Sequence, residues 1–206
     1  MKDTLHLSVS QGNSKMGEIR SVSLPAGETC PSGCVCFQKC YARKLERLRP
    51  IVHAAYERNL LLYRQDPVTY WREAEASVMM SRFFRFHVSG DIPDAAYLSR
   101  MVGVAQRNPH CQILCFTKRY RLVNEYLQSG QRIPENLHLV FSVWRDMEYE
   151  NPFSLPEAHV FYRDGTTTAR QDGSAIPCGG NCTTCARTDT GCWKLKPGQQ
   201  VVFNEH

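Results

Sequence analysis

The sequence has no uninterrupted apolar run of about 18 residues, which excludes a membrane-spanning helix of ordinary length. Its opening residues, Met1-Lys2-Asp3-Thr4-Leu5-His6-Leu7, lack the apolar core of a secretory signal. A cytoplasmic protein with no membrane partner is therefore expected. There is no internal repeat and no low-complexity tract. The formal net charge is only +5 over 206 residues, too small to announce a nucleic-acid partner by itself.

Cysteine, by contrast, is abundant, with ten residues. A reducing compartment disfavours structural disulfides, so clustered thiols point to metal or to catalysis. Four of them, Cys30, Cys34, Cys36 and Cys40, fall within eleven residues of a loop that also contains Pro31 and Gly33. A second group, Cys178, Cys182, Cys185 and Cys192, lies in a Gly- and Thr-rich tail with no helical or strand period. Such a tail cannot fold alone without a metal or disulfides.

Between the two groups, the pattern is one of alternating strands and helices. Ile19 to Leu24 alternates as a strand, and a short strand is expected within residues 1 to 17. Helix formers run from Ala42 to Tyr63 with a break at Pro50, and Asp66-Pro67 opens a helix through about Met80. Strands are expected at Phe83 to Val88, Gln112 to Thr117, Leu137 to Val143 and His159 to Tyr162, with helices at about 94–106 and 119–128. This rhythm predicts βαβ units and a parallel sheet. Five or six strands are too few for a closed eight-stranded barrel, so the expected fold is an α/β partial (open) parallel barrel with cysteine-rich metal-binding loops. It spans residues 1–206 as one domain, with 177–206 as a cysteine-rich C-terminal extension.

In parallel α/β sheets, ligands gather where strands end and loops begin. The first cysteine loop, Ser89-Gly90-Asp91, Thr117-Lys118, Trp144-Arg145 and Asp164 all stand at such ends and should surround one site. Along Phe83 to Val88, strand alternation puts Phe84, Phe86 and Val88 on one face, with Arg85 and His87 on the other. In the first loop Cys34 and Cys36 are separated by a single residue, so both are not expected to bind the same cluster without a sharp turn. Cys30, Cys36 and Cys40 are therefore the preferred ligands, leaving one iron of a four-iron (4Fe-4S) cluster open, whereas a bound Cys34 would close the site. The tail group suits a closed site, either a second cluster or zinc. The bland readings are that Cys111 and Cys115 are core residues, that His87 is a buried core histidine, that Trp144 and Trp193 are packing anchors, and that Arg43, Lys44, Arg47 and Arg49 form a solvated helix face, with nucleic-acid contact as the alternative.

Several motifs carry a resemblance. Gly12-Asn13-Ser14-Lys15, the entry from Leu24 to Pro31, Cys40-Tyr41-Ala42, Ser89-Gly90-Asp91, Thr117-Lys118 and the tail from Cys178 to Trp193 together resemble phage and plasmid proteins of the gene product 88 type, over most of the chain. More loosely, a cysteine loop after the first strand and a Ser-Gly-Asp turn after the second resemble the radical S-adenosylmethionine enzymes. The first loop reads C-x5-C-x3-C where that superfamily has C-x3-C-x2-C, a spacing found here at Cys178, Cys182 and Cys185.

These resemblances imply an iron-sulfur enzyme of a phage-infected or bacterial host cell, with S-adenosylmethionine as a second cofactor. Ser89, Gly90, Asp91 and Thr117 would hold the cofactor, and Arg85, His87, Asp91, Lys118 and Arg145 would supply charge or proton transfer. The substrate class would be a small molecule, a nucleotide or a nucleic acid; oligomeric state is left open. The alternative is a zinc-stapled protein that binds nucleic acid or a host partner without catalysis.

Overall fold

The computed structural model describes residues 5–205. The short strand expected near the start is reduced to isolated bridges, Ser10 to Ser21 and Asn13 to Gly17, and residues 1–4 lie outside the described residues. The first strand, β1, is Arg20–Val22. After the cysteine loop, the helical stretch breaks at Pro50, which has no N–H to continue the ladder, giving α1 (Tyr41–Leu48) and α2 (Pro50–Gln65). Asp66 caps α3 (Pro67–Met79), its carboxylate accepting from the Thr69 N–H at 3.0 Å. There follow β2 (Phe83–Phe86), α4 (Ala95–Arg107), β3 (Gln112–Thr117), α5 (Tyr120–Gln128), β4 (Leu137–Ser142) and β5 (Glu157–Phe161).

The tail, which shows no period in sequence, does hold regular structure: β6 (Ile176–Pro177), α6 (Cys182–Arg187) and β7 (Gln200–Asn204). These pieces are too short for periodicity to reveal them. A local signal does exist, since Asn181 caps α6 by accepting from the Thr184 N–H at 2.9 Å.

All seven strands join one parallel sheet in the order β1-β2-β3-β4-β5-β7-β6, and the sheet is open. Strands that follow in sequence order, joined by crossovers of one hand, place their helices on a single face. A parallel sheet needs both faces covered. On the helix side, Phe84, Phe86, Ile113, Leu139 and Phe141 pack with Trp71, Tyr97 and Met101. On the other side, Leu114, Val140, Ala158 and Val201 pack with Met16 from the N-terminal loop and with Ala186 and Trp193 from the tail. The cysteine-rich segment thus does the covering that a second helix layer would do elsewhere.

Strand alternation fails at one point. His87 has φ +60°, which turns its ring back to 5.2 Å from Tyr97, on the helix side, and Val88 packs against the second core instead. The expectation that His87 shares a face with Arg85 is therefore corrected: the β period ends at Phe86, before the turn.

The sheet's far half is fastened by Glu157. Its carboxylate accepts from His159 Nε2 (3.0 Å), Gln200 Nε2 (2.7 Å), Asn151 Nδ2 (2.9 Å) and Tyr149 OH (3.1 Å). Burial works against the charge, but these donors outweigh it and hold the carboxyl down at about 2, from an ordinary 4.5. Between those values the unfolded chain binds a proton that the folded chain refuses, so this stability is present above pH 4.5 and is lost as pH falls toward 2. Glu157→Gln is expected to cost about 1–3 kcal/mol at pH 7, by mispairing buried donors. It should also lose less of its remaining stability than the parent between pH 7 and pH 3, as read from urea midpoints.

Candidate functional site

The carboxyl ends of the strands open into a cavity of about 740 Å³, within the size range of small-molecule sites. Both cysteine loops wall it. Cys30, Cys36 and Cys40 line it from one side, and Cys178, Cys182, Cys185 and Cys192 from the other. Cys34 is not among the lining residues; its sulfur lies 3.0 Å from that of Cys36 in a thiol hydrogen bond. That contact makes Cys34 the more acidic of the two, drawn down to about 6, while Cys36 is pushed up by the same bond and by burial. Burial also raises Cys30, to about 11, against a 3.4 Å hydrogen bond from the Gly27 N–H to its sulfur.

In the tail, the Gly180 N–H donates to Cys178 Sγ at 3.4 Å. The Cys185 sulfur is seated between Gly179 and Gly191, where a Cβ at either glycine would approach it to 3.3 Å. All ten cysteines are free thiols. Among the described residues, no three His, Cys, Asp or Glu side chains converge closely enough to hold one metal ion.

The Ser89-Gly90-Asp91 turn follows β2 and joins three strand ends. Gly90 has φ +76°, and a Cβ there would meet Leu24 O and Thr29 Oγ1, each at 2.6 Å. Ser89 Oγ donates to Glu46 Oε1 at 2.5 Å. Asp91 is fully engaged with its neighbours: Oδ1 accepts from Thr117 Oγ1 (2.6 Å) and the Ile92 N–H (2.7 Å), and Oδ2 from the Lys118 N–H (2.8 Å). Burial raises the Asp91 carboxyl, and these bonds only partly offset it. With three of about four acceptor positions used, Asp91 ties the end of β2 to the end of β3 and has little capacity left for a ligand. Thr117 supports Asp91 and does not line the cavity.

Lys118 is half-buried, with Nζ donating to Ser142 Oγ at 3.0 Å. Burial disfavours its charge, yet the surrounding Cys36 and Asp91 outweigh that and raise its pKa. Arg85 is 9% exposed; Nη1 reaches Met16 Sδ at 3.2 Å, the guanidinium stands 4.9 Å from the Phe116 ring centroid, and Nε has no hydrogen-bond partner. His87 is 3% exposed, and neither ring nitrogen has a partner. Burial, with Arg85 beside it, pulls the imidazole down to about 3, so it is neutral at pH 7. Such a residue in the left-handed region stores about 1–3 kcal/mol of strain. Arg85 and His87 both line the cavity, so their partnerless nitrogens lie at its wall.

Arg145 stands apart. It pairs with Asp164 at 2.7 Å, stacks 3.5 Å over the Tyr162 ring, and does not line the cavity. Sequence reasoning missed Glu46, His159, Ser142 and the N-terminal loop. Glu46 lies inside a run of basic residues, yet it is buried and holds Ser89, the Ala26 N–H (3.0 Å) and His53 (3.1 Å). The signal was its place four residues after Ala42, which is buried on the same stripe of α1. The Asn13–Met16 loop forms a cavity wall and is tied to the tail by Cys182 N–H to Lys15 O (2.9 Å) and Thr183 Oγ1 to Met16 O (2.9 Å).

A family model described as Gene product 88 matches residues 4–194. The Gene 88 protein of Mycobacterium phage L5 is 33% identical over 145 residues, which is 64% of this chain and 59% of that protein. The Gene 88 protein of Mycobacterium phage D29 is 30% identical over 145 residues, with the same shares. The chain thus spans 59% of the length of these curated relatives. No solved structure matches it.

Two outcomes are expected from the turn. Gly90→Ala should lower stability by at least about 1–3 kcal/mol from its φ alone, with more from the backbone clash, read as a drop in thermal midpoint. His87→Asn, which tolerates φ +60°, should flatten the pH profile. The unfolded chain protonates His87 near its ordinary 6.5 and the folded chain only near 3, so the parent loses stability as pH falls through that window and the variant loses less.

Proposed function

The chain belongs to the Gene product 88 family, and from that premise we propose that it is an iron-sulfur enzyme whose reactive cluster is held by Cys30, Cys36 and Cys40. The observation that carries this reading is the convergence of two cysteine loops, 138 positions apart from Cys40 to Cys178, on one cavity beside a buried Arg85 and His87 and a half-buried Lys118. The donor set fits. Three lining thiols, with Cys34 outside the lining, would leave one iron position open, and the backbone N–H bonds to Cys30 and Cys178 sulfurs are of the kind that tune such clusters. Tetrahedral zinc requires four sulfurs at about 2.3 Å from one point, a tighter convergence than the thiols adopt. A cluster spreads its ligands over several irons.

A bound cluster would supply electron transfer and an open coordination position for a substrate or for S-adenosylmethionine. The chain's own contribution is more defined. Lys118 offers a half-buried ammonium facing the first loop, with two donors beyond the one given to Ser142. Neutral His87 can donate from one ring nitrogen and accept at the other. Arg85 offers positive charge to an anionic group and lies near Cys182 and Cys192, whose thiolates it favours. Asp91, Thr117 and Ser89 hold the turn that places these groups. The unreversed order β1 to β5 supports reading the sheet as a partial barrel, with the tail thiols forming a closed second site.

Anaerobic purification with iron and sulfide analysis tests the proposal. Brown protein is expected, with the first-loop signal lost in Cys30→Ala, Cys36→Ala or Cys40→Ala and kept in Cys34→Ala. Colourless protein carrying only zinc would overturn it.

A further inference from the structure

The helix that follows the first cysteine loop is inside out. In α1, the buried positions are Ala42 and Glu46, while Leu45 and Leu48 face solvent, as does Ile51 at the start of α2. Its only carboxylate points inward to Ser89 and His53. The charges on the outer surface are therefore all positive: Arg43, Lys44, Arg47 and the adjoining Arg49. No carboxylate pairs with any of the four among the described residues. Neighbouring acids are already engaged, Glu57 with His53 and Glu205 with Lys39. Elsewhere, several exposed arginines do have carboxylate partners, as with Arg64, Arg107, Arg121 and Arg187.

This surface has a flat aromatic component and a direction. Phe37, in the single 3-10 turn Val35–Phe37 that precedes α1, is 44% exposed, and the Arg43 guanidinium lies 3.5 Å from its ring centroid. Leu45 and Arg49 both line the mouth of the cavity. Cations track a phosphate backbone, and an exposed ring with a stacked guanidinium offers a face on which any base can stack.

We propose that the Val35–Phe37 turn and α1 form a landing surface for single-stranded nucleic acid, presenting one nucleotide to the cavity. The inference names the substrate class of the site described above and rests on that cavity being the reactive one. Single-stranded nucleic acid is favoured over a duplex because stacking on Phe37 requires an unpaired base.

The test is fluorescence anisotropy of the full chain with a labelled 20-nucleotide single strand across a salt series. Four phosphate contacts predict a slope of log affinity against log salt of about −2.8. Lys44→Glu combined with Arg47→Glu should weaken binding at least tenfold at low salt and reduce the slope by about 1.4. Phe37→Ala should weaken binding with the slope unchanged, the signature of lost stacking. Arg121→Glu, on α5, should bind as the parent does. Urea midpoints equal to the parent's confirm that each variant is folded.

No binding at low salt, equal binding by the doubly reversed variant, equal affinity for a duplex, or capture by phosphatidylserine vesicles but not by the oligonucleotide would each overturn the proposal. Iron and sulfide are measured on the same samples. Colourless protein that binds the strand overturns only the cluster, and brown protein that ignores the strand overturns only the landing surface.

Discussion

A parallel sheet cannot leave a face in water, and this one obtains its second cover from a cysteine-rich tail. With β1 to β5 following in sequence order, every helical crossover falls on one side. The exposed side is closed by Trp193, Ala186 and Leu195 from the tail and by Met16 from the N-terminal loop. Trp193 carries much of this: its ring packs 5.2 Å from Phe83, and its Nε1 donates to Cys182 O at 3.3 Å. Covering the sheet and facing Cys178–Cys192 toward Cys30–Cys40 are one event, so the chemistry of the site and the stability of the fold rest on the same packing.

The Ser89-Gly90-Asp91 turn is the second point of dependence. Its side chains spend their hydrogen-bonding capacity on the protein, Ser89 on Glu46 and Asp91 on Thr117 and the Lys118 N–H. On the segment that leads into the turn, the buried polar atoms left without hydrogen-bond partners among the described residues are Arg85 Nε and both ring nitrogens of His87. A division of labour results, in which the motif residues brace and the preceding strand end presents.

Much of the architecture was legible because it follows strong local rules. Pro50 had to break a helix, Asp66-Pro67 had to start one, and Gln112 to Thr117 stands as a strand with the expected bounds. The gathering of the first cysteine loop, Ser89-Gly90-Asp91, Lys118 and Trp144 around one cavity was expected from topology, whereas Arg145 and Asp164, expected there too, pair with each other outside its lining. The tail's elements escaped because six helical residues and a two-residue strand are too short to show a period. The orientation of α1 escaped because apolar residues normally face inward, and here Leu45 and Leu48 face outward while a carboxylate bridging Ser89 takes the inner stripe. His87 was misplaced because alternation was carried one residue too far, into a left-handed backbone position that no period signals. Arg145, chosen for its strand-end position, is occupied by Asp164 and Tyr162 instead.

The bond from Thr183 to the Met16 carbonyl joins residues 167 positions apart. A polypeptide emerging from the ribosome would have its first cysteine loop made long before the partner that walls it off. Residues near the start would wait for those near the end, a non-local closure of the kind that folds slowly. During that interval, Cys30, Cys36 and Cys40 would stand without the wall that the tail supplies. The segment that carries Thr183 therefore sets when the cavity beside those thiols closes.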